Sequence, residues 1–124
     1  MTEEKTVEDR LRESQHYNRS IIEACPAALI VVNPRGGLTD VNEATVRFLG
    51  RPRADLVGSP LGSYFQIPPE AAASMREAFE GNSPATFELV LKASGTDERV
   101  VPFEVSMFHE PDGELRGLLV AEVA

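Results

Sequence analysis

The sequence is poor in the residues that build redox, metal and nucleic-acid sites. Its 124 residues include one cysteine, two histidines and no tryptophan. A single cysteine excludes an internal disulfide, which suits a reducing compartment. Lys and Arg number 12 against 20 Asp and Glu, giving a formal charge of -8. The chain therefore lacks the clustered cations that neutralise phosphates, and we expect no nucleic-acid partner.

Long apolar runs are missing as well. No run approaches the roughly 18 residues that span a bilayer, and the N-terminus lacks the pattern of a signal peptide. We therefore expect a cytoplasmic protein with no membrane contact in this segment. The 42% of hydrophobic residues, mixed with charge, is typical of one globular domain of ordinary size.

Groups of residues that could catalyse a reaction are scarce. His16 lies in a charged segment and His109 beside a turn, and neither has Ser, Asp or metal-ligand companions at a useful spacing. Cys25 has no basic neighbour in sequence, so we interpret it as a small packing residue. We do not expect an enzyme.

Residues 27–58 predict a compact unit of two strands and a helix. An apolar, β-branched run forms the first strand, and a turn rich in proline and glycine leads into the second. Asn42 is placed to cap the helix that follows, and Gly50 to end it in the left-handed conformation. The predicted elements are a strand at 27–32, a turn at 33–37, a strand at Leu38–Val41 and a helix at Glu43–Leu49.

This unit resembles the opening of a PAS domain. That family typically has an apolar strand, an Asp/Asn-x-x-Gly turn, a second strand ending in x-x-Asn, and a short helix. The segment ALIVVNPRGGLTDVNEA at 28–44 has this order, with the turn at 33–36 and the strand end at 40–42. The pieces FLG at 48–50 and DLVG at 55–58 resemble the family's "lLGy…eelvG", with Arg51 replacing the usual aromatic residue. The resemblance runs from about residue 20 to residue 123.

The remaining pattern predicts the rest of the fold. Prolines and glycines break 53–65 into turns or single helical turns, and Pro68-Pro69-Glu70 begins a helix that runs to about Glu80. Three alternating strands follow, at 85–92, 98–108 and 115–123. We therefore expect an α+β fold, a PAS-like five-stranded antiparallel sheet with short helices on one face and an N-terminal amphipathic helix.

Residues 1–23 predict that N-terminal helix, ahead of a PAS domain at 24–124. Its i,i+4 apolar pairs form an amphipathic stripe. The helix either folds back to cap its own domain or packs against a second copy, and in the family such helices often mediate dimerisation. The candidate dimer-interface residues are Val7, Leu11, Tyr17 and Ile21. Four apolar residues of the strands lie on the second sheet face and need such a cover: Val100, Phe108, Leu118 and Val120.

The resemblance implies a ligand pocket between the long helix and the sheet. Its candidate lining is mostly apolar, and the alternative is that the same side chains simply fill the core. The candidate pocket residues are Phe65, Met75, Phe79, Phe87, Leu89, Phe103, Val105 and Met107. Ser63, Tyr64 and Ser106 are the nearby polar groups that could bind a small apolar or carboxylate metabolite.

The resemblance also bears on cofactors. Haem-binding members carry an axial histidine on the long helix, and 69–80 contains none. Flavin members that form a photoadduct carry a cysteine before that helix, and 58–65 contains none; members with a cinnamoyl chromophore also need a helical cysteine. We therefore predict no cofactor. The sequence does not exclude a non-covalently bound flavin or a small metabolite.

The C-terminal strand adds one signalling residue to the expectation. The family's last strand often ends in "xxRDIT", and Glu122 lies where the Asp would be, although the neighbouring residues differ. We interpret Asp40 and Asn42 as structural hydrogen-bonding residues. The resemblance implies a sensory module of a longer bacterial-type signalling protein, a homodimer with an effector such as a histidine kinase. The alternative is a ligand-free dimerisation module with a filled core.

Overall fold

The structure, a computed structural model, describes residues 25–92 and 99–122. The predicted N-terminal helix lies outside these residues, and so do the candidate interface residues Val7, Leu11, Tyr17 and Ile21. Within the described residues, no helix combines the length and the apolar character needed to cross a membrane.

The fold is an antiparallel sheet with its helices on one face. The six strands lie in the order β2-β1-β6-β5-β4-β3, so the first and last long strands are neighbours at the centre. The strands are β1 (Ala28–Val32), β2 (Leu38–Val41), β3 (Phe65–Gln66), β4 (Ala85–Leu91), β5 (Arg99–His109) and β6 (Leu115–Ala121). The helices are α1 (Glu43–Leu49), α2 (Arg53–Leu56) and α3 (Pro69–Gly81), with a 3₁₀ turn at Leu61–Ser63.

The sixth strand corrects the prediction of five. β3 has only two residues and pairs Phe65 with Leu91 and Gln66 with Val90. Alternation cannot be recognised in two residues, so sequence periodicity could not identify this strand. It forms because the preceding 3₁₀ turn brings the chain beside β4, where the Lys92 amide also donates to the Tyr64 carbonyl at 2.9 Å.

The helix ends follow the predicted chemistry. Asn42 caps α1, and Gly50 ends it at φ 69°, donating its amide to the Val46 carbonyl. α3 begins at Pro69, where a missing N–H costs nothing, and ends at Asn82 with φ 49°. Asparagine tolerates this left-handed conformation better than most side chains. The sequence prediction that 81–84 ends the helix is confirmed.

The two faces of the sheet carry separate apolar clusters. The inner face packs against the helices and forms the main core. On the outer face, Leu29, Val31, Phe108 and Leu118 are buried, with Cys25 and Val120 packed against them. The predicted alternation is confirmed for these strands. Val100 is the exception to the predicted cover, since its side chain is 55% exposed at the start of β5, beyond the last pair between β5 and β6.

Candidate functional site

The candidate pocket residues all belong to one apolar cluster. Six of the eight are buried, and Met75 and Phe79 of α3 are partly buried and pack against them. The strands place alternate residues of β4 and β5 on the inner face, which explains why positions far apart in sequence meet. The buried six are Phe65, Phe87, Leu89, Phe103, Val105 and Met107.

Aromatic rings form the centre of this cluster. The Phe65 and Phe103 rings meet edge to face at 5.4 Å with an interplanar angle of 88°. The centroids of the Phe87 and Phe103 rings lie 6.3 Å apart, and the angle between the ring planes is 27°. Such geometries stabilise a pair by about 0.5–1.5 kcal/mol beyond area burial. The β3–β4–β5 end of the inner face is therefore a ring-packed wall.

A glycine on β6 lets the long helix approach the sheet. A Cβ on Gly117 would lie 3.2 Å from Phe79 Cζ and 3.2 Å from Val105 Cγ2. Because both distances are tighter than ordinary carbon contacts, no larger residue fits without movement. The Phe79 ring rests directly on the β6 backbone and couples α3 to the centre of the sheet. The sequence offered one signal for this contact, a glycine inside a strand pattern.

The hydroxyl groups predicted as polar partners of a ligand are directed away from the inner cluster, although the Tyr64 ring packs against it. Ser106 pairs with Leu118 and shares its outer face. The Tyr64 hydroxyl is 2.6 Å from Ser59 Oγ and also donates to the Asp55 carbonyl at 3.2 Å. Ser63 is exposed. Ser63 and Ser106 therefore lie away from the inner cluster, whereas Tyr64 contacts it through its ring and not through its hydroxyl.

Asn42 joins α1 to the sheet through a buried network. Its side-chain oxygen accepts from the amides of Leu29 and Thr45 at 3.0 Å each and from Thr45 Oγ1 at 2.8 Å. Its side-chain nitrogen donates to the Ala27 carbonyl at 2.8 Å and to the Cys25 carbonyl at 3.3 Å. The residue is 0% exposed. Asn42 therefore does more than cap a helix: it also anchors the start of β1.

Asp40 forms an ion pair that sequence reasoning missed. Its buried carboxylate accepts from the Val41 amide at 2.9 Å and pairs with the Arg53 guanidinium. Arg53 also donates to the Val41 carbonyl. Since Arg53 opens α2, this pair fastens the loop after α1 to the end of β2. Thirteen residues separate the two partners, so no local pattern could reveal it.

A second charged group lies at the β5–β6 turn. Arg116 Nε is 3.2 Å from Glu110 Oε2, and Arg116 Nη1 is 3.9 Å from Glu114 Oε1. Burial raises the pKa of Glu110 above its usual range; Arg116 opposes the shift, and the carboxylates of Asp112 and Asp40 add to it. Desolvation thus outweighs the nearby guanidinium.

This shift predicts a pH dependence of stability. An acid whose folded pKa is raised binds its proton more tightly in the folded state, so its contribution to stability falls as pH rises from about 4.3. We compare the unfolding free energies of wild type and Glu110→Gln. We expect the difference, wild type minus variant, to decrease as the pH rises from 4 to 7. Urea titrations at unit pH steps measure the difference. A difference that stays constant or increases with pH contradicts the raised pKa.

Among the described residues, no group of three His, Cys, Asp or Glu side chains is arranged to hold a metal ion. Glu122 follows the last residue of β6 and is exposed on the outer face, where it lines a cavity with Glu88 and Glu104. His109 is exposed at the end of β5.

A six-stranded antiparallel sheet with short helices around one apolar cluster defines a small α+β module. The PAS fold family model matches residues 22–122. The chain belongs to the PAS fold family. No curated protein matches the sequence.

Solved structures share this fold at low sequence identity. A PAS domain of an HTR-like protein from Haloarcula marismortui is 18% identical, with a TM-score of 0.68 over 84% of this chain and 91% of that one. The PAS domain of nitrogen regulation protein NR(II) from Vibrio parahaemolyticus is 12% identical, with a TM-score of 0.69 over 85% and 96%. A domain of a sensory box sensor histidine kinase/response regulator from Geobacter sulfurreducens is 22% identical, with a TM-score of 0.65 over 85% and 90%.

Proposed function

We propose that this chain is a sensory and regulatory module of a cytoplasmic, bacterial-type signalling protein. Membership of the PAS fold family supports this function, and so do structural relatives described as domains of sensor histidine kinases. The module itself is not an enzyme, and its effector is a separate domain such as a histidine kinase.

The contact between Phe79 and Gly117 is the main structural observation that supports this function. It lies between α3 and β6, and β6 leads to Glu122 at the end of the described chain. A molecule that enters the inner cluster must displace side chains held between α3 and the sheet. A ligand that prefers the displaced packing shifts the population toward it. The change reaches neighbouring domains through β6.

The ligand is a small apolar molecule. The inner cluster is aliphatic and aromatic. The Ser106 hydroxyl is on the outer face, and the Tyr64 hydroxyl is 2.6 Å from Ser59 Oγ. A carboxylate placed among these side chains would lose its hydration without finding donors, which is costly. Haem and covalently linked chromophores are not part of this proposal.

The module works as a homodimer through the segment that precedes β1. The outer cluster of Leu29, Val31, Phe108 and Leu118 begins beside Cys25, where the described chain starts. The amphipathic segment before it carries the candidate interface residues Val7, Leu11, Tyr17 and Ile21. The side chains of the outer cluster are already buried within one chain, so we propose that this segment, next to the cluster, forms the dimer contact.

Native mass spectrometry tests both parts of the proposal. The mass of the purified assembly is compared with the mass of the denatured chain. A dimer that carries an added small mass supports the ligand-gated sensor. A dimer at the bare polypeptide mass, unchanged after incubation with a panel of apolar metabolites, favours the interaction module, and a bare monomer contradicts the dimer.

A ligand-free interaction module is the second candidate. The packed rings of Phe65, Phe87 and Phe103 favour it, because a core already filled by rings has no need of a ligand. The two candidates give the Phe79 ring different roles. It is the wall of a ligand pocket in the sensor and part of a filled core in the interaction module.

Replacing Phe79 by alanine separates the two candidates. If Phe79 is a pocket wall, we expect the unfolding free energy to fall by about 2 kcal/mol or less, with altered ligand retention in the native mass spectrum. A filled core predicts a loss of about 3–5 kcal/mol through cavity formation. Chemical denaturation measures the loss, and Phe103→Ala serves as the fully buried reference.

A further inference from the structure

The outer sheet face has two chemically different halves. The half near β1 is apolar and buried, with Leu29, Val31 and Leu118 between 0% and 1% exposed. The half near β4 is acidic: Glu88 and Glu104 are exposed there, and Glu122 extends it past the end of β6. The glutamates of this acidic half lie on the opposite side of the sheet from the inner cluster, although Phe87 and Phe103 of that cluster also line the cavity between them.

Strand pairing brings the three carboxylates together. Glu88 pairs with Pro102 across β4 and β5, and Glu104 pairs with Val120 across β5 and β6. Glu122 continues the chain two residues beyond Val120. Neighbouring strands lie about 4.8 Å apart, so the three side chains surround Pro102 within about 10 Å of one another.

These residues line a cavity of about 480 Å³ on the sheet surface. Pro102 and Val120 provide apolar surface within it, and Thr86 contributes a hydroxyl. Val120 also packs against the buried apolar cluster of the outer face. Val120 thus lies between this cavity and the buried apolar half. We call the cavity, with Glu88, Glu104 and Glu122 around it, the acidic groove.

The three glutamates have no cationic partner in the described parts of the chain. Asp40, Glu110 and Glu114 by contrast each face an arginine. Like charges within about 10 Å repel one another at low ionic strength, because this separation is within a Debye length. A cationic partner would relieve that repulsion, so the groove presents an unbalanced negative potential beside the apolar side chains of Pro102 and Val120.

We propose that the acidic groove binds an amphipathic, Lys- or Arg-bearing segment of a partner protein. The cations of the partner face Glu88, Glu104 and Glu122, and its apolar side chains lie against Pro102 and Val120. Charge complementarity selects this occupant over others. A second copy related by two-fold symmetry at the groove would bring glutamates against glutamates, and anionic lipid or nucleic acid would be repelled.

The test uses the purified chain and a designed probe. The probe is a 20-residue helical peptide with leucines at every third or fourth position and three arginines along one edge, and its partner peptide carries glutamine in place of arginine. The groove variant is Glu88→Gln/Glu104→Gln/Glu122→Gln. The matched control, Glu70→Gln/Glu77→Gln/Glu80→Gln, removes the same charge from exposed positions on α3.

We expect the groove variant to bind the arginine peptide about tenfold more weakly than wild type, since three exposed ion pairs are removed. The α3 variant should lose less than about twofold, and the glutamine peptide should bind as weakly as the groove variant does. Wild-type affinity should fall when salt is raised. Amide shifts in wild type should change at Glu88, Glu104 and Glu122 and not along α3.

Four results would overturn the proposal. Equal losses in the two variants would mean attraction by net charge alone. No binding of the arginine peptide to wild type, or equal binding of both peptides, would mean that the groove recognises no cation. A change of oligomeric state in the groove variant would show that a second copy occupies the groove.

Discussion

Asn42→Asp should lower the unfolding free energy by about 4 kcal/mol at pH 7. The substitution preserves the shape of the side chain and its cap to the Thr45 amide. It replaces the amide donor, which binds the Ala27 and Cys25 carbonyls at 2.8 and 3.3 Å, by a carboxylate oxygen. One carboxylate oxygen would keep the donors of Leu29 and Thr45, but the other would face two carbonyl oxygens with no donor. Leaving a buried charge in such a broken network costs about 3–5 kcal/mol.

The same substitution at an exposed position is its control. Asn82 is exposed at the end of α3 in the left-handed conformation, which aspartate also tolerates. Asn82→Asp should change the unfolding free energy by less than about 0.5 kcal/mol. Urea denaturation measures both variants. Equal losses would mean that the network at Asn42 does not hold β1 and α1 together.

The pH dependence of Asn42→Asp has a defined sign. Burial beside carbonyl oxygens raises the pKa of the new acid in the folded state above the unfolded value of about 3.9. The penalty is therefore smallest below that value, where the protonated acid again donates to a carbonyl. It should increase as pH rises.

Gly117→Val should lower the unfolding free energy by about 3 kcal/mol. The new Cβ would lie 3.2 Å from both Phe79 Cζ and Val105 Cγ2, and the two methyl groups beyond it need still more space. Overpacking of this kind forces side chains off their rotamers and shifts the backbone, which typically costs about 1–3 kcal/mol. Gly62→Val is the matched control, because nothing lies within 4 Å of its Cβ position.

A double-mutant cycle assigns the Gly117→Val cost to the ring. If Phe79 is the obstacle, Phe79→Ala removes it. The loss of unfolding free energy in the double variant should then be smaller than the sum of the two single losses by about 1 kcal/mol or more. Thermal and chemical denaturation provide the four values. Additive losses would show that the ring is not what excludes a side chain at Gly117.

Much of the fold could be predicted from the chemistry of residues that are close together in the sequence. The turn at 33–37, the Asn42 cap and the Gly50 stop each depend on residues a few positions apart, and the structure places all three as predicted. The alternation in β4 and β5 likewise assigned the inner face, because side chains point to opposite faces at every second residue. Family membership followed from the order of these local signals.

Tertiary structure alone decided the contacts between distant residues. The two-residue β3 exists through its pairing with β4, and Arg53 meets Asp40 because α2 returns to the end of β2.

The acidic groove shows the same division. The sequence has 20 acidic against 12 basic residues, and it placed Glu88 and Glu104 in two different strands and Glu122 near the C-terminus of a third. Only the pairing of β4, β5 and β6 brings these three around Pro102. The physical reason is that composition and short-range periodicity act along the chain, whereas hydrogen-bonded register acts across it and sets which charges share a surface.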